Sequence, residues 1–133
     1  MENKPKIMYI EDEEAVYRFM NRFLSADYDV LHTTNLEDAL SKIDNSFKAC
    51  ISDGTYPKNK DSGLYANAWK EVYQAFKKLD KNIPFILTTT NSYNQGELEA
   101  FTENDPEFIL IEKPFEMNEI GLTLKKLLGK EKL

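Results

Sequence analysis

A chain of 133 residues, 41% hydrophobic and 30% charged, has the composition of an ordinary globular protein and the length expected of one domain, residues 1–133. A formal net charge of −6 argues against a nucleic-acid partner, because the densest basic group, Lys125, Lys126 and Lys130, reads as solvated charge on a terminal helix. The single cysteine, Cys50, excludes an internal disulfide and fits a reducing cytoplasm. No apolar run reaches membrane-spanning length, and the polar start at Met1 to Lys6 lacks signal-peptide character, so no membrane association is expected.

In chain order, short apolar runs alternate with helix-like stretches. Residues 6–10 (Lys-Ile-Met-Tyr-Ile) read as a buried strand. Residues 13–25 follow as a helix with Val16, Phe19, Met20, Phe23 and Leu24 at helical spacing. Residues 28–33 form a second strand, and Asn35 is placed to cap a helix over 36–44, striped by Leu36, Ala39, Leu40 and Ile43. Residues 48–52 are a third strand. The stretch 54–63, rich in Gly, Pro, Asn, Lys and Asp, reads as a loop. A long helix is expected over 64–80, with Leu64, Ala68, Val72, Ala75, Phe76 and Leu79 on one face and Tyr65, Trp69 and Tyr73 beside it. A fourth strand over 83–88, a helix over 94–103, a fifth strand over 108–112 and a closing helix over 117–128 complete the chain. Strands that are apolar throughout suit a parallel sheet covered on both faces, and right-handed crossovers make that a doubly wound α/β fold.

In such folds the chemistry lies at the C-terminal ends of the strands. The first strand delivers Glu11 and Asp12 there, the third Asp53, the fourth Thr88-Thr89-Thr90, and the fifth Glu112 and Lys113. Clustered carboxylates call for a hard cation such as Mg²⁺, while a threonine hydroxyl and a lysine ammonium suit phosphoryl oxygens. The implied chemistry is phosphoryl transfer to a carboxylate, driven by positioning and charge neutralisation. Glu13 and Glu14 fit equally well as charge opening a helix. His32, the sole histidine, excludes a histidine metal cluster and a Ser-His-Asp triad within one chain.

Together these residues resemble the receiver domain of bacterial response regulators, over nearly the whole chain. The resemblance rests on Ile10-Glu11-Asp12-Glu13, on Asp53 with Pro57 four residues later, on Pro84-Phe85-Ile86-Leu87-Thr88-Thr89, and on Lys113-Pro114-Phe115. It implies a flavodoxin-like (βα)5 fold with strand order 2-1-3-4-5. It assigns Asp53 as phosphoacceptor and Glu11, Asp12, Asp53 and the Thr55 backbone carbonyl as ligands of Mg²⁺ or Mn²⁺. Thr89 matches the hydroxyl that moves onto the phosphoryl group, Lys113 the lysine of the pattern, and Lys113–Pro114 a cis peptide bond. Thr55, Thr90 and Asn91 stand where receivers tune access and dephosphorylation. The 57–63 loop is about two residues longer than the family's usual connection.

Two departures stand out. Glu11 replaces the commoner aspartate. Leu110 stands where the family usually has the aromatic residue of its rotating switch, with Phe108 a substitute only if it lies on the same face. The implied function is a stand-alone receiver that accepts a phosphoryl group from a histidine kinase or histidine phosphotransfer protein. It supports its own phosphotransfer and autodephosphorylation rather than acting as an enzyme on free substrates. It would act on a downstream protein target as a monomer or weak homodimer. A domain cut from a longer protein is the other reading of its length. A degenerate receiver working as a phosphorylation-independent binding module is the functional alternative. Ser52-Asp53-Gly54-Thr55 also resembles part of the haloacid-dehalogenase phosphatase motif, but Ile51 stands where that motif needs its nucleophilic aspartate.

Overall fold

The computed structural model describes residues 4–89, 95–113 and 115–129. In chain order the elements are β1 (Lys6–Ile10), α1 (Glu14–Leu24), β2 (Asp29–Thr33), α2 (Leu36–Lys42), β3 (Phe47–Asp53), β4 (Tyr56–Pro57), β5 (Leu64–Tyr65), α3 (Ala68–Leu79), β6 (Phe85–Thr89), α4 (Gln95–Asn104), β7 (Phe108–Glu112) and α5 (Met117–Gly129). The five long strands form one parallel sheet in the order β2-β1-β3-β6-β7. Numbered among themselves, these strands run 2-1-3-4-5, the doubly wound flavodoxin-like arrangement expected from the sequence.

Strand side chains alternate between two apolar layers. Met8, Ile10, Cys50, Phe85, Leu87 and Phe108 face α2, α3 and α4, where Leu36, Val72, Phe76 and Leu98 meet them. Ile7, Tyr9, Ala49, Ile51, Ile86 and Ile111 face α1 and α5, where Met20, Leu24, Ile120 and Leu124 meet them. Each fully buried aliphatic side chain contributes about 1.5–3 kcal/mol, so the strands need to be apolar on both sides. α1 and α5 approach closely at Gly121: a methyl group there would lie 2.9 Å from the Phe23 ring. Asn35 caps α2 as expected, its Oδ1 accepting from Asp38 N at 2.9 Å.

Three expectations change. The segment after β3 is not all loop, because Tyr56-Pro57 and Leu64-Tyr65 pair antiparallel as a small hairpin. The long helix accordingly begins at Ala68 rather than 64. Leu64 and Tyr65 continue the apolar spacing of the helix, so periodicity alone could not separate them from it. Leu64 is exposed in the hairpin, Tyr65 lies under Lys58 Nζ, Trp69 is fully buried and Tyr73 is half-buried. The buried stripes are also narrower than the apolar spacing predicts: Phe19, Phe23, Leu40 and Leu79 are exposed. A helix lying on a sheet buries an arc narrower than the full run of its apolar positions.

Candidate functional site

The site is assembled by strand ends. Glu11 follows β1 and is turned inward, 2% exposed. Asp53 closes β3 and Lys113 follows β7. Thr88 and Thr89 end β6, both buried. Each of Glu11, Asp12 and Asp53 offers a carboxylate oxygen, and these oxygens lie within 4.8 Å of one another. Lys113 Nζ donates to Asp53 Oδ1 at 2.8 Å and stands 4.0 Å from Glu11 Oε1. The Gly54 backbone N–H donates to the same Asp53 oxygen at 2.8 Å. Lys113 is held in place by its own backbone, whose N–H donates to the Thr89 carbonyl at 2.7 Å across the β6–β7 edge.

Electrostatics follow from this crowding. Burial, then the charge of Asp53, pushes the Glu11 carboxyl up to about 7; the Glu13 backbone N–H, 3.2 Å from Glu11 Oε2, and Lys113 only partly oppose that. Burial alone would lower the Lys113 ammonium, but its bond to Asp53 and the charges of Asp53, Glu11 and Glu13 carry it above the ordinary lysine value. Among the described residues, Lys113 therefore faces the three carboxylates of Glu11, Asp12 and Asp53. Oxygen-only donors with an unmatched negative charge fit a small hard divalent ion that retains several waters.

Glu13 and Glu14 separate from the cluster as the sequence allowed. Glu13 stands at the N-cap of α1, while Glu14 lies in its first turn and accepts from Arg18 at 2.7 Å. Thr55 is half-buried between Asp53 and the hairpin. Thr90, Asn91 and Pro114, and with Pro114 the expected cis bond, lie outside the described residues. Leu110 and Phe108 share the face of β7 that packs toward α3 and α4. Phe108 is 2% exposed and packed among Trp69, Tyr73, Phe85 and Phe101, with centroids 5.4–6.0 Å away. Turning it toward solvent would open the core. Ile51, where a phosphatase nucleophile would stand, is fully buried against α1 and α5.

Supporting residues escaped the sequence reading. His32 on β2 donates through Nε2 to the Glu11 carbonyl at 2.7 Å, since a carbonyl can only accept, and it stacks on Tyr17 at 3.5 Å between centroids. Burial holds its pKa below the usual histidine value, and in the neutral ring the Glu11 carbonyl selects the Nε2–H tautomer. Ser52 and Tyr56 bond beneath Asp53. Nothing in their local sequence marks these contacts, because they form only when distant strands and the hairpin come together.

No protein-family model matches the chain, and no curated relative matches it. Solved structures do. The receiver domain protein (CheY-like) of Methanospirillum hungatei JF-1 is 23% identical, with 98% of each chain covered and a TM-score of 0.76. The non-phosphorylated HemR receiver domain of Leptospira biflexa is 25% identical, covering 93% of this chain and 94% of that one, with a TM-score of 0.72. The signal receiver domain of a LuxO repressor protein from Vibrio parahaemolyticus is 19% identical, covering 97% and 93%, with a TM-score of 0.75. The chain has the receiver-domain fold of response regulators.

Proposed function

We propose that the chain is a phosphoacceptor receiver in which Asp53 takes a phosphoryl group from a phosphohistidine on a kinase or phosphotransfer protein. The observation that carries this is Asp53 bonded to Lys113 at 2.8 Å within a carboxylate cluster that spans no more than 4.8 Å, at the C-terminal edge of a receiver fold. Asp53 acts as the nucleophile. Lys113, already oriented by Asp53, gathers the oxygens of the incoming group, and Thr89 at the neighbouring strand end adds a hydroxyl. Glu11, Asp12, Asp53 and the Thr55 carbonyl would hold Mg²⁺, or Mn²⁺ in its place. When bound, this ion neutralises charge on the transferring phosphoryl oxygens. The added charge biases the surface around β6, α4 and β7, and a downstream protein reads that surface. Turnover of free phosphoesters is not its task; its chemistry is confined to its own phosphorylation and dephosphorylation.

Incubation with acetyl phosphate and Mg²⁺, followed by intact-mass analysis and peptide mapping, tests this reading. A single phosphoryl adduct at Asp53, lost in Asp53→Asn, is the expected result. A wild-type chain that stays unmodified, with acetyl phosphate and with a panel of phosphohistidine donors, overturns it and leaves a phosphorylation-independent binding module. Leu110, in place of the usual switch aromatic, is the feature that favours that second reading.

A further inference from the structure

Tyr56 opens the hairpin three residues after Asp53 and is 0% exposed. Its ring belongs to the apolar layer shared by Cys50, Phe85 and Trp69. A phenylalanine would fill that space equally well, and a buried hydroxyl costs free energy unless it is bonded. The Tyr56 hydroxyl lies 3.0 Å from Ser52 Oγ, and Ser52 Oγ lies 2.9 Å from the Asp53 carbonyl oxygen. The proton inventory fixes the direction. A carbonyl only accepts, so Ser52 gives it its one proton, and Tyr56 must then donate to Ser52. On the other side of Asp53, the Ser52 carbonyl accepts from Thr88 Oγ1 at 3.4 Å. Both peptide groups flanking the Asp53 α-carbon are thereby held by side-chain hydroxyls.

The hairpin is itself anchored. The Lys58 carbonyl accepts from Glu37 N at 2.8 Å, tying the hairpin to the first turn of α2. Tyr56 is therefore a fixed post from which the turn over Asp53, Gly54 and Thr55 is braced. We propose that Tyr56 is a positioning residue of the site: through Ser52, its hydroxyl sets the backbone that carries the Asp53 carboxylate and the Thr55 carbonyl. The inference rests on the reading of these groups as Mg²⁺ ligands. It assigns the residue before Pro57 a duty beyond packing.

Calorimetric Mg²⁺ titration of the wild type, Tyr56→Phe and Ser52→Ala, with Tm measured alongside, tests it. Val72→Ala is the control, a cavity in the same apolar layer made by a side chain with no hydrogen-bonding atom. Tyr56→Phe should weaken Mg²⁺ binding about tenfold, the low end for an outer partner of a metal ligand. Ser52→Ala should do at least as much, and the double variant no more than Ser52→Ala alone, because both act through one chain of bonds. Val72→Ala should lower Tm and leave Mg²⁺ affinity unchanged. Wild-type binding with Tyr56→Phe and Ser52→Ala within twofold of it overturns the inference alone. An equal loss of affinity in Val72→Ala reduces Tyr56 to a packing residue and overturns it too. A wild type that binds no Mg²⁺ overturns the reading of the site and this inference with it.

Discussion

The Glu11 carboxyl keeps its proton up to about pH 7, whereas a glutamate in the unfolded chain ionises near 4.5. Between those values the folded chain binds more protons than the unfolded one, so this group's contribution to stability falls as pH rises and is fully lost above about 7. Glu11→Gln removes the cost. With the mouth of the pocket open to solvent, the gain is on the order of 1 kcal/mol. The metal-free variant should melt about 3–5 °C higher than wild type at pH 8 and unchanged near pH 4.5, read by calorimetry. It should also lose the rise in Tm that Mg²⁺ gives the wild type. Lys113 provides the complementary case. Lys113→Ala strips the ammonium bonded to Asp53 and should abolish labelling by acetyl phosphate, read by intact mass. At this scale the acids and the lysine were legible because strand ends follow from apolar runs, and charge just beyond such a run has few structural uses. Tyr56, Ser52 and His32 were not, because their bonds cross elements.

Among the described residues, helix α4 buries the fewest apolar side chains of the five helices. Leu98 is its buried anchor among the described residues, and Phe101 is half-buried against Trp69, Tyr73 and Phe108 at 5.2–5.4 Å. An ion pair of Lys70 with Glu97 adds a partly exposed tie at one end. At the other, Asp105 accepts from Tyr73 and Lys77, both at 2.8 Å, while Lys77 also donates to the Ile83 carbonyl. Phe101→Ala should cost about 2 kcal/mol for a half-buried ring. In hydrogen exchange the loss should fall on α4, its amides exchanging roughly 30-fold faster while β1 and β3 keep their protection. Uniform acceleration through the sheet would show that α4 is not a separate unit. The sequence placed this helix over 94–103, where Leu98, Ala100 and Phe101 are the apolar residues. It did not reveal the hairpin, since two-residue strands are too short to show a period of two. Nor did it separate Leu64 from the helix, since an apolar residue four before Ala68 fits the helical stripe whether or not it is buried.

For the molecule as a whole, two carboxyls set opposite limits on stability. Burial would raise Asp105, but its bonds from Lys77, Tyr73 and the Glu107 backbone N–H outweigh that and hold it below the usual aspartate value. Its contribution is present above the unfolded value of 3.8 and disappears as pH falls through the folded one. Glu11 removes stability on the alkaline side. The metal-free chain should therefore weaken as pH falls below about 3.8, and between about 4.5 and 7 Glu11 should weaken it against the opposing gain from His32, whose lowered pKa favours folding as pH rises, with Mg²⁺ offsetting the Glu11 loss. Denaturant melts of wild type and Glu11→Gln at a series of pH values, with and without Mg²⁺, check this; a variant-minus-wild-type difference that does not grow between pH ~4.5 and ~7 would contradict it. The order of strands and helices was readable because five apolar runs at regular intervals leave few ways to cover a sheet. Which of their flanking aromatics are buried was not, because that depends on how far each helix tilts over the sheet.

Trp69 is the chain's only tryptophan, fully buried and edge-on to Phe101 of α4 at 5.2 Å. Indole emission shifts to the red when water reaches the ring, so this seam supplies an optical gauge of whether α4 is seated. The protein needs no attached dye: a red shift on phosphorylation would time the release of α4 in unmodified protein, and a constant spectrum would show the helix staying in place.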